Sequence, residues 1–246
     1  MKKGLAVLLR SISKHVKDQN WFAVALDFFI VVIGILIAFQ ITNWNEGRAE
    51  RAEEREIVLQ LIAEAHETNV RIESNAAFDA ERLSAAMRAH KALKAQSLTE
   101  AQIAQLHDDL RVLGPWGGVD YVTASLNRLV DADRLSLITD PELQLSISWH
   151  KENVDERLMA HQNVGQMNLD HSVAVNDRFD FEMKDGKRVI MTPIEDLLAD
   201  NVLERRVGQF AFTYQVFDGF HESSRERNAN YLTDLTRYAE DKGWLE

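Results

Sequence analysis

The sequence contains no cysteine. The chain therefore has no disulfide framework, and its stability must come from the packing of its side chains. A chain without cysteine is compatible with a compartment outside the cytoplasm but does not identify one. The thiolate, a common catalytic nucleophile and metal ligand, is also excluded from any site in this protein.

Short catalytic and metal-binding motifs are missing as well. The chain has no G-x-S-x-G turn, no glycine-rich loop suited to a phosphate, and no H-E-x-x-H zinc motif. None of the eight histidines has another histidine or an acid four residues away. We therefore predict no catalytic residue, no metal ligand and no cofactor.

Positive charge is scarce and unevenly distributed. The chain has 28 Lys and Arg against 39 Asp and Glu, which gives a formal net charge of -11. Residues 1–20 carry a net charge of +4, so residues 21–246 sum to -15. Binding of nucleic acid requires clustered Lys and Arg to neutralise phosphates. We therefore expect no nucleic-acid partner.

One long apolar run stands out from a chain whose mean hydropathy is only -0.27. Within residues 22–41 only Asp27 and Gln40 are polar. About twenty helical residues span roughly 30 Å, the thickness of a bilayer's hydrocarbon core. Trp21 and Trp44 flank the run and are predicted to be interface anchors. A cleavable signal peptide and a buried core helix are the alternatives.

The flanking charges give the predicted span an orientation. Positively charged flanks remain in the cytoplasm, so we expect the N-terminus inside and the large C-terminal part outside. In a bacterium this corresponds to the inner membrane with a periplasmic domain. The predicted organisation is a basic cytoplasmic segment at 1–20, a transmembrane helix at 21–44 and an extracytoplasmic domain at 45–246.

The basic N-terminal segment also has a helical apolar pattern. Its apolar residues recur at helical spacing, while its basic residues occupy other positions. Such a helix could lie on an anionic membrane surface. An ordinary charged flank would orient the span equally well, and both readings stay open. The apolar positions are Leu5, Leu8, Leu9, Ile12 and Val16.

The segment after the span favours continued helix. Residues 45–56 are rich in Glu and Arg and lack proline, so we expect the helix to continue into the outer domain. Apolar positions then recur in steps of three and four over 62–93 and again over 207–238. The two seams predict neighbouring helices in a bundle. Pairing of each seam with its counterpart in an oligomer is the alternative.

Shorter elements are predicted between the two seams. A capping box at Ser97–Glu100 opens a helix that ends near Leu113, and further helices cover 119–131 and 141–176. Residues 179–192 read as a β-hairpin around Asp185 and Gly186, and 192–195 cap a following helix. The predicted fold is mainly α: one transmembrane helix that continues into an extracytoplasmic helical bundle with one small β-hairpin.

Two candidate contact sites emerge. Ala23, Asp27, Gly34 and Ala38 fall on one face of the predicted span, where small residues would let another helix approach closely. The alternative is that Asp27 merely lies near the headgroups. The second site is the glycine-rich loop with Trp116 and Tyr121, which could line a ligand pocket. The alternative there is a corner between helices whose tryptophan fills the core.

The run Val31–Glu46 resembles the N-terminal signature of a family of uncharacterised bacterial single-pass membrane proteins. In that family an apolar VVIGILIA-type span leads into a polar N-W-N-E exit and a helical region. The resemblance implies a bacterial envelope location and supplies no catalytic residue. It covers residues 27–46 best and weakens around 125–143.

These observations favour a function in binding. We expect a membrane-anchored envelope protein that acts as a binding, scaffold or sensing-accessory module and is not an enzyme. Its partners would be the lipid bilayer and, through the span, a second copy or another membrane protein. The alternative is a membrane-anchored extracytoplasmic enzyme, hydrolase-like, with a site that the motifs do not reveal.

Overall fold

The computed structural model describes residues 21–114 and 116–245, without the side chains of Trp21 and Ala23. The predicted amphipathic segment at 1–20 lies outside the described residues. Within them are six α-helices, a short 3-10 turn and one β-hairpin, so the mainly α prediction is confirmed. The elements are α1 (Trp21–Leu93), α2 (Glu100–Val112), α3 (Ala124–Asp131), the 3-10 turn (Leu135–Leu137), α4 (Pro141–Asn176), β1 (Phe181–Lys184), β2 (Lys187–Ile190), α5 (Ile194–Ala199) and α6 (Asn201–Asp241).

The chain divides into two units between Glu53 and Glu54, inside α1. In the first unit the described residues are all helical. Their apolar run contains an 18-residue window with a mean hydropathy of 2.6, none of which is buried. By length and composition this is the one helix in the described part of the chain that could cross a membrane. The helix also includes the charged residues 45–56, as predicted.

The second unit is built on an antiparallel pairing of α6 with the C-terminal part of α1. Tyr238 contacts Glu54, Asn228 contacts Ala65, and Glu204 contacts His90, so the residue numbers fall along one helix as they rise along the other. All ten seam positions of α6 are buried. The prediction that the two seams are neighbours in one bundle is therefore confirmed. The buried positions are Val207, Phe210, Tyr214, Phe217, His221, Ser224, Asn228, Tyr231, Leu235 and Tyr238.

Helix α4 completes the long framework of this unit and also runs antiparallel to α6. Its start is set by Asp140, whose carboxylate accepts hydrogen bonds from the backbone N–H groups of Glu142 and Leu143 at 2.7 and 3.0 Å. Pro141 occupies the first helical turn, where its missing N–H costs nothing. The predicted bounds of 141 and 176 are both confirmed.

The interior of the second unit has two apolar clusters separated by a polar layer. One cluster gathers residues of α1 from Ala85 onward with the first half of α6. The other gathers Val58–Ala65 of α1 with the last turns of α6. Between them the two helices contribute buried polar side chains. These are Thr68 and Asp79 from α1 and His221, Ser224 and Asn228 from α6.

Two predicted helix starts need correction. Helix α2 is capped by Thr99, not Ser97, because Thr99 and Gln102 form a reciprocal capping box two residues further on. Helix α3 begins at Ala124, not near Val119. The backbone N–H groups of Val119 and Val122 donate to His161 and Thr68, so they satisfy their hydrogen bonds outside a helix.

The hairpin is confirmed, and its turn explains its sequence. Residues Phe181–Lys184 pair antiparallel with Lys187–Ile190. Asp185 and Gly186 have φ angles of 51° and 73°, the left-handed conformation that a tight two-residue hairpin turn needs. The predicted cap at Thr192 is wrong, because α5 has Pro193 at its N-cap position and no side-chain cap hydrogen bond. The Thr192 hydroxyl instead accepts a hydrogen bond from the Asp180 N–H at 2.8 Å.

Candidate functional site

The predicted association face lies in the first unit. Asp27, Gly34 and Ala38 are exposed, and a Cβ added at Gly34 would meet no atom within 4 Å. The side chains of Ala23 and Trp21 lie outside the described set. Trp44 is exposed, and the Arg48 guanidinium lies 5.6 Å from its ring centroid. This face of the helix is therefore sterically open, and its role as a contact surface stays a prediction.

The predicted pocket loop holds Trp116 inside the second unit. The indole packs at 4.2 Å between centroids on both His161 and Phe217. Gly165 lies so close that a Cβ there would come within 3.2 Å of the indole. The void beside this stack measures about 10 Å³, about the space of one water molecule. A larger ligand at this loop would have to displace Trp116.

Tyr121, the other predicted loop residue, is half-buried against His150. Their ring centroids are 6.4 Å apart in an edge-to-face arrangement. Burial raises the pKa of the Tyr121 phenol above its ordinary value, because the phenolate would lose its hydration. Trp116 packs against the first apolar cluster of the second unit and Tyr121 against the other, so the two loop residues do not share one pocket.

A buried Asp–His pair lies in the polar layer, and its aspartate holds the loop that contains Trp116 through a hydrogen bond. Asp79 Oδ2 lies 2.9 Å from His221 Nε2, and Asp79 Oδ1 accepts a hydrogen bond from the Gly117 N–H at 2.7 Å. Both side chains are only 2% exposed. A substrate cannot reach this pair without opening the bundle, so its geometry is that of a structural link.

In the described part of the chain, no group of three or more His, Asp or Glu side chains is arranged to hold a metal ion.

An open cleft lies between α4 and α6, and no sequence motif indicates it. Its volume is about 740 Å³, within the range of ligand-binding sites. Leu145 and Trp149 form one wall, and both are exposed, at 52% and 62%. The cleft is lined by Asp140, Glu142, Leu143, Leu145, Ser146, Trp149, His150, Asn153, Arg227, Asn230, Tyr231, Asp234, Arg237, Tyr238 and Asp241.

Two buried aromatic side chains form the floor of the cleft. His150 and Tyr231 stack face to face with centroids 3.7 Å apart and planes 7° from parallel. Both rings are buried, and burial lowers the pKa of His150 to about 4, so the imidazole is neutral at pH 7. Burial likewise raises the pKa of the Tyr231 phenol. Both stacked rings are therefore uncharged at pH 7.

The middle of the cleft is occupied by a hydrogen-bonded carboxylate. Ser146 Oγ donates to Asp234 Oδ2 at 2.8 Å, and Arg237 donates to Asp234 Oδ1 at 2.9 Å. The Asp234 charge is therefore compensated inside the site. The Ser146 hydroxyl is held by this carboxylate, which ties α4 to α6 across the cleft floor.

The two ends of the cleft carry opposite charge. Glu142 lies at the start of α4 and Asp241 at the end of α6, and these two ends meet because the helices are antiparallel. Arg227 lies at the other end, where it donates a hydrogen bond to Asn153. The site therefore has an acidic end and a basic end, and between them an exposed indole and the Asp234 carboxylate, whose charge Arg237 compensates.

Sequence periodicity contains a weak signal for this cleft. The buried positions in the first four turns of α4 form one seam, and Leu145 and Trp149 lie beside it, one turn apart. These buried positions are Leu143, Ile147, His150 and Val154. Together Leu145 and Trp149 leave an apolar strip of α4 exposed beside the cleft. Neither residue was among the predicted site residues.

Comparisons of the chain with protein-family models, with curated proteins and with solved structures find no match.

Proposed function

We propose that this chain is a single-pass protein of the bacterial inner membrane whose outer, helical unit binds another protein. The N-terminus would lie in the cytoplasm and residues 54–246 outside it. One observation carries the binding role, namely the open cleft between α4 and α6 with Trp149 exposed in its wall. Exposed tryptophan flanked by polar side chains is typical of the anchor residues of protein interfaces.

The membrane part of the proposal rests on α1 and its flanks. The apolar window is unburied and has the hydropathy of a membrane span. The net charge of +4 on residues 1–20 favours a cytoplasmic N-terminus. The resemblance of Val31–Glu46 to a family of bacterial single-pass membrane proteins supports the same location.

The absence of cysteine makes the topology directly testable. Ser13→Cys and Ser136→Cys variants each carry one thiol, and a membrane-impermeant maleimide reports the side on which it lies. In right-side-out membrane vesicles we expect labelling of Ser136→Cys at once and of Ser13→Cys only after detergent is added. If Ser13→Cys were labelled first, the proposed orientation would be wrong. If carbonate washing released the Ser136→Cys protein from the membrane, the proposed membrane anchor would be wrong.

Site-directed crosslinking tests the cleft. We expect Leu145→Cys and Asn230→Cys, each carrying a photoactivatable maleimide, to capture the same protein in native membranes. Leu169→Cys is the matched control, because Leu169 is an equally exposed leucine of α4 that does not line the cleft. Adding Trp149→Ala should abolish capture at both cleft positions. Equal capture at Leu169 would locate the binding surface elsewhere.

The proposal includes a second contact surface within the membrane. The face formed by Ala23, Asp27, Gly34 and Ala38 would contact a second copy of the chain or another membrane protein. Gly34 leaves open space for a neighbouring backbone, and Asp27 could be satisfied by a polar group of that neighbour.

A further inference from the structure

The charge distribution along the α4–α6 cleft identifies the kind of partner that fits it. We propose that its occupant is an amphipathic helical segment of a partner protein, acidic at its N-terminal end and basic at its C-terminal end. This inference rests on the proposed binding function and adds the chemistry and direction of the bound segment.

The length of the cleft suits about three turns of helix. Glu142 and Asn153 mark its two ends on α4 and are eleven residues apart, which corresponds to roughly 16 Å along the helix. A groove between two antiparallel helices receives a third helix through apolar residues spaced three and four apart. Leu145 and Trp149, one turn apart, present the apolar surface that such a stripe would cover.

The uncompensated charges set the polarity of the occupant. Asp234 is held by Ser146 and Arg237, and Asp140 caps α4, so these carboxylates are already engaged. Glu142 and Asp241 remain at one end of the cleft and Arg227 at the other. Lysine or arginine of the bound segment would lie beside the two acids, and its Asp or Glu beside Arg227.

The helix dipole then fixes the direction of the segment. A helix is stabilised by acidic residues in its first turn and basic residues in its last turn. A segment with that arrangement places its C-terminal end beside Glu142, at the start of α4. It therefore runs antiparallel to α4 and parallel to α6.

The overall charge argues for a partner protein over a second copy. Residues 54–246 contain 34 acidic and 21 basic residues, a net charge of -13. Two copies of so acidic a unit repel each other, whereas a partner with a basic segment is attracted.

The test uses full-length protein in nanodiscs of zwitterionic lipid. The probe is a synthetic 18-residue peptide with glutamates in its first turn, lysines in its last turn and leucines on one face between them. A second peptide exchanges the glutamates and lysines. Titration at low salt should show at least tenfold tighter binding of the first peptide. Empty nanodiscs measure the binding of either peptide to lipid.

Variants then assign that preference to the cleft. Trp149→Ala should weaken binding of the first peptide at least tenfold. The triple variant Glu142→Lys, Asp241→Lys and Arg227→Glu should reverse the preference and bind the exchanged peptide more tightly. A reversed preference cannot come from a misfolded protein. Leu169→Ala is the matched control and should leave both affinities unchanged.

Three results would overturn the inference. They are equal affinity for the two peptides, displacement of the bound peptide by equimolar 1,4-diaminobutane, or a disulfide-linked dimer of Leu145→Cys protein on oxidation. The second result would assign the cleft to a small organic cation and the third to a second copy. Membrane crosslinking from Leu145 that captures a protein, together with equal peptide affinities, would leave the proposed function standing and remove only this inference.

Discussion

Asp79 is a buried side chain that links three parts of the second unit. It lies on α1, contacts His221 of α6 and accepts a hydrogen bond from Gly117 in the loop after α2. Because it is buried, the groups it satisfies cannot turn to water when it is removed. Local stability in this region therefore depends on one carboxylate.

Asp79→Ala is expected to destabilise the protein by about 2–4 kcal/mol, because it leaves a buried imidazole and a buried backbone N–H without their acceptor. Chemical denaturation followed by circular dichroism measures this. Glu81→Ala, two residues along α1 and exposed, is the control and should change stability by less than about 0.5 kcal/mol. Equal effects of the two substitutions would show that the Asp79 contacts carry no stability.

Substitution by alanine is expected to change stability in opposite directions at two glycines. Gly118 has a φ of +74°, and a Cβ there would lie 1.9 Å from His161 Cε1. Gly118→Ala should therefore cost more than about 2 kcal/mol, from left-handed backbone strain and displacement of His161. Gly219 lies within α6 with no atom within 4 Å of an added Cβ, so Gly219→Ala should stabilise by up to about 1 kcal/mol. Thermal melts of both variants would test the pair, and a neutral Gly118→Ala would contradict it.

At the scale of elements, α1 has two surfaces with different requirements. Its apolar run presents side chains that are exposed on every described side, whereas its later turns bury one seam against α6. Lipid would bury the apolar side chains of the first part, whereas the helical bundle buries the seam of the second part. A contact between spans needs close backbone approach, for which Gly34 leaves room.

Replacing Asp27 and Gly34 together with leucine is expected to weaken association of the span by roughly tenfold, since it removes a polar contact and fills the space for a close neighbour. Analytical ultracentrifugation in detergent measures the change. Phe29→Leu with Leu36→Ile, on the opposite face of the helix, should leave the oligomer size unchanged. An unchanged size for the Asp27 and Gly34 variant would remove this face as a contact surface.

For the whole molecule, burial of neutral histidine makes stability depend on pH. The folded pKa of His150 is about 4, below its value of about 6.5 in the unfolded chain. The stabilisation is therefore complete above pH 6.5 and is lost as the pH falls towards 4. Burial also lowers the pKa of His107 and His161, which adds to the effect in the same direction.

His150→Phe should remove part of this acid sensitivity while keeping an aromatic ring on Tyr231. The two pKa values imply that the free energy of unfolding of the wild-type protein falls by about 2 kcal/mol between pH 7.5 and pH 5. The variant should not show this loss. For a domain of this size that is a relative gain in Tm of roughly 4–8 °C. His66→Phe, at an exposed position, is the control. Parallel pH profiles for all three proteins would contradict the prediction.

The features that could be predicted are those encoded by neighbouring residues. Apolar periodicity, the Asp140–Pro141 start of α4 and the Asp185–Gly186 turn are local patterns, and the structure has the helices and the hairpin where these patterns place them. The start of α3 was misplaced because the N–H groups of Val119 and Val122 donate to residues 42 and 54 positions away. No local pattern reports such distant acceptors.

The sequence by itself determined the apolar helix, the uneven charge and the two seams, because each depends only on residue type and spacing. Only the tertiary structure decided that α4 lies beside α6, that Trp116 packs against Phe217, and that Leu145 and Trp149 border an open cleft. Which amphipathic faces meet is a choice among several helices of similar pattern. That choice depends on the packing of distant side chains, which only the folded chain brings together.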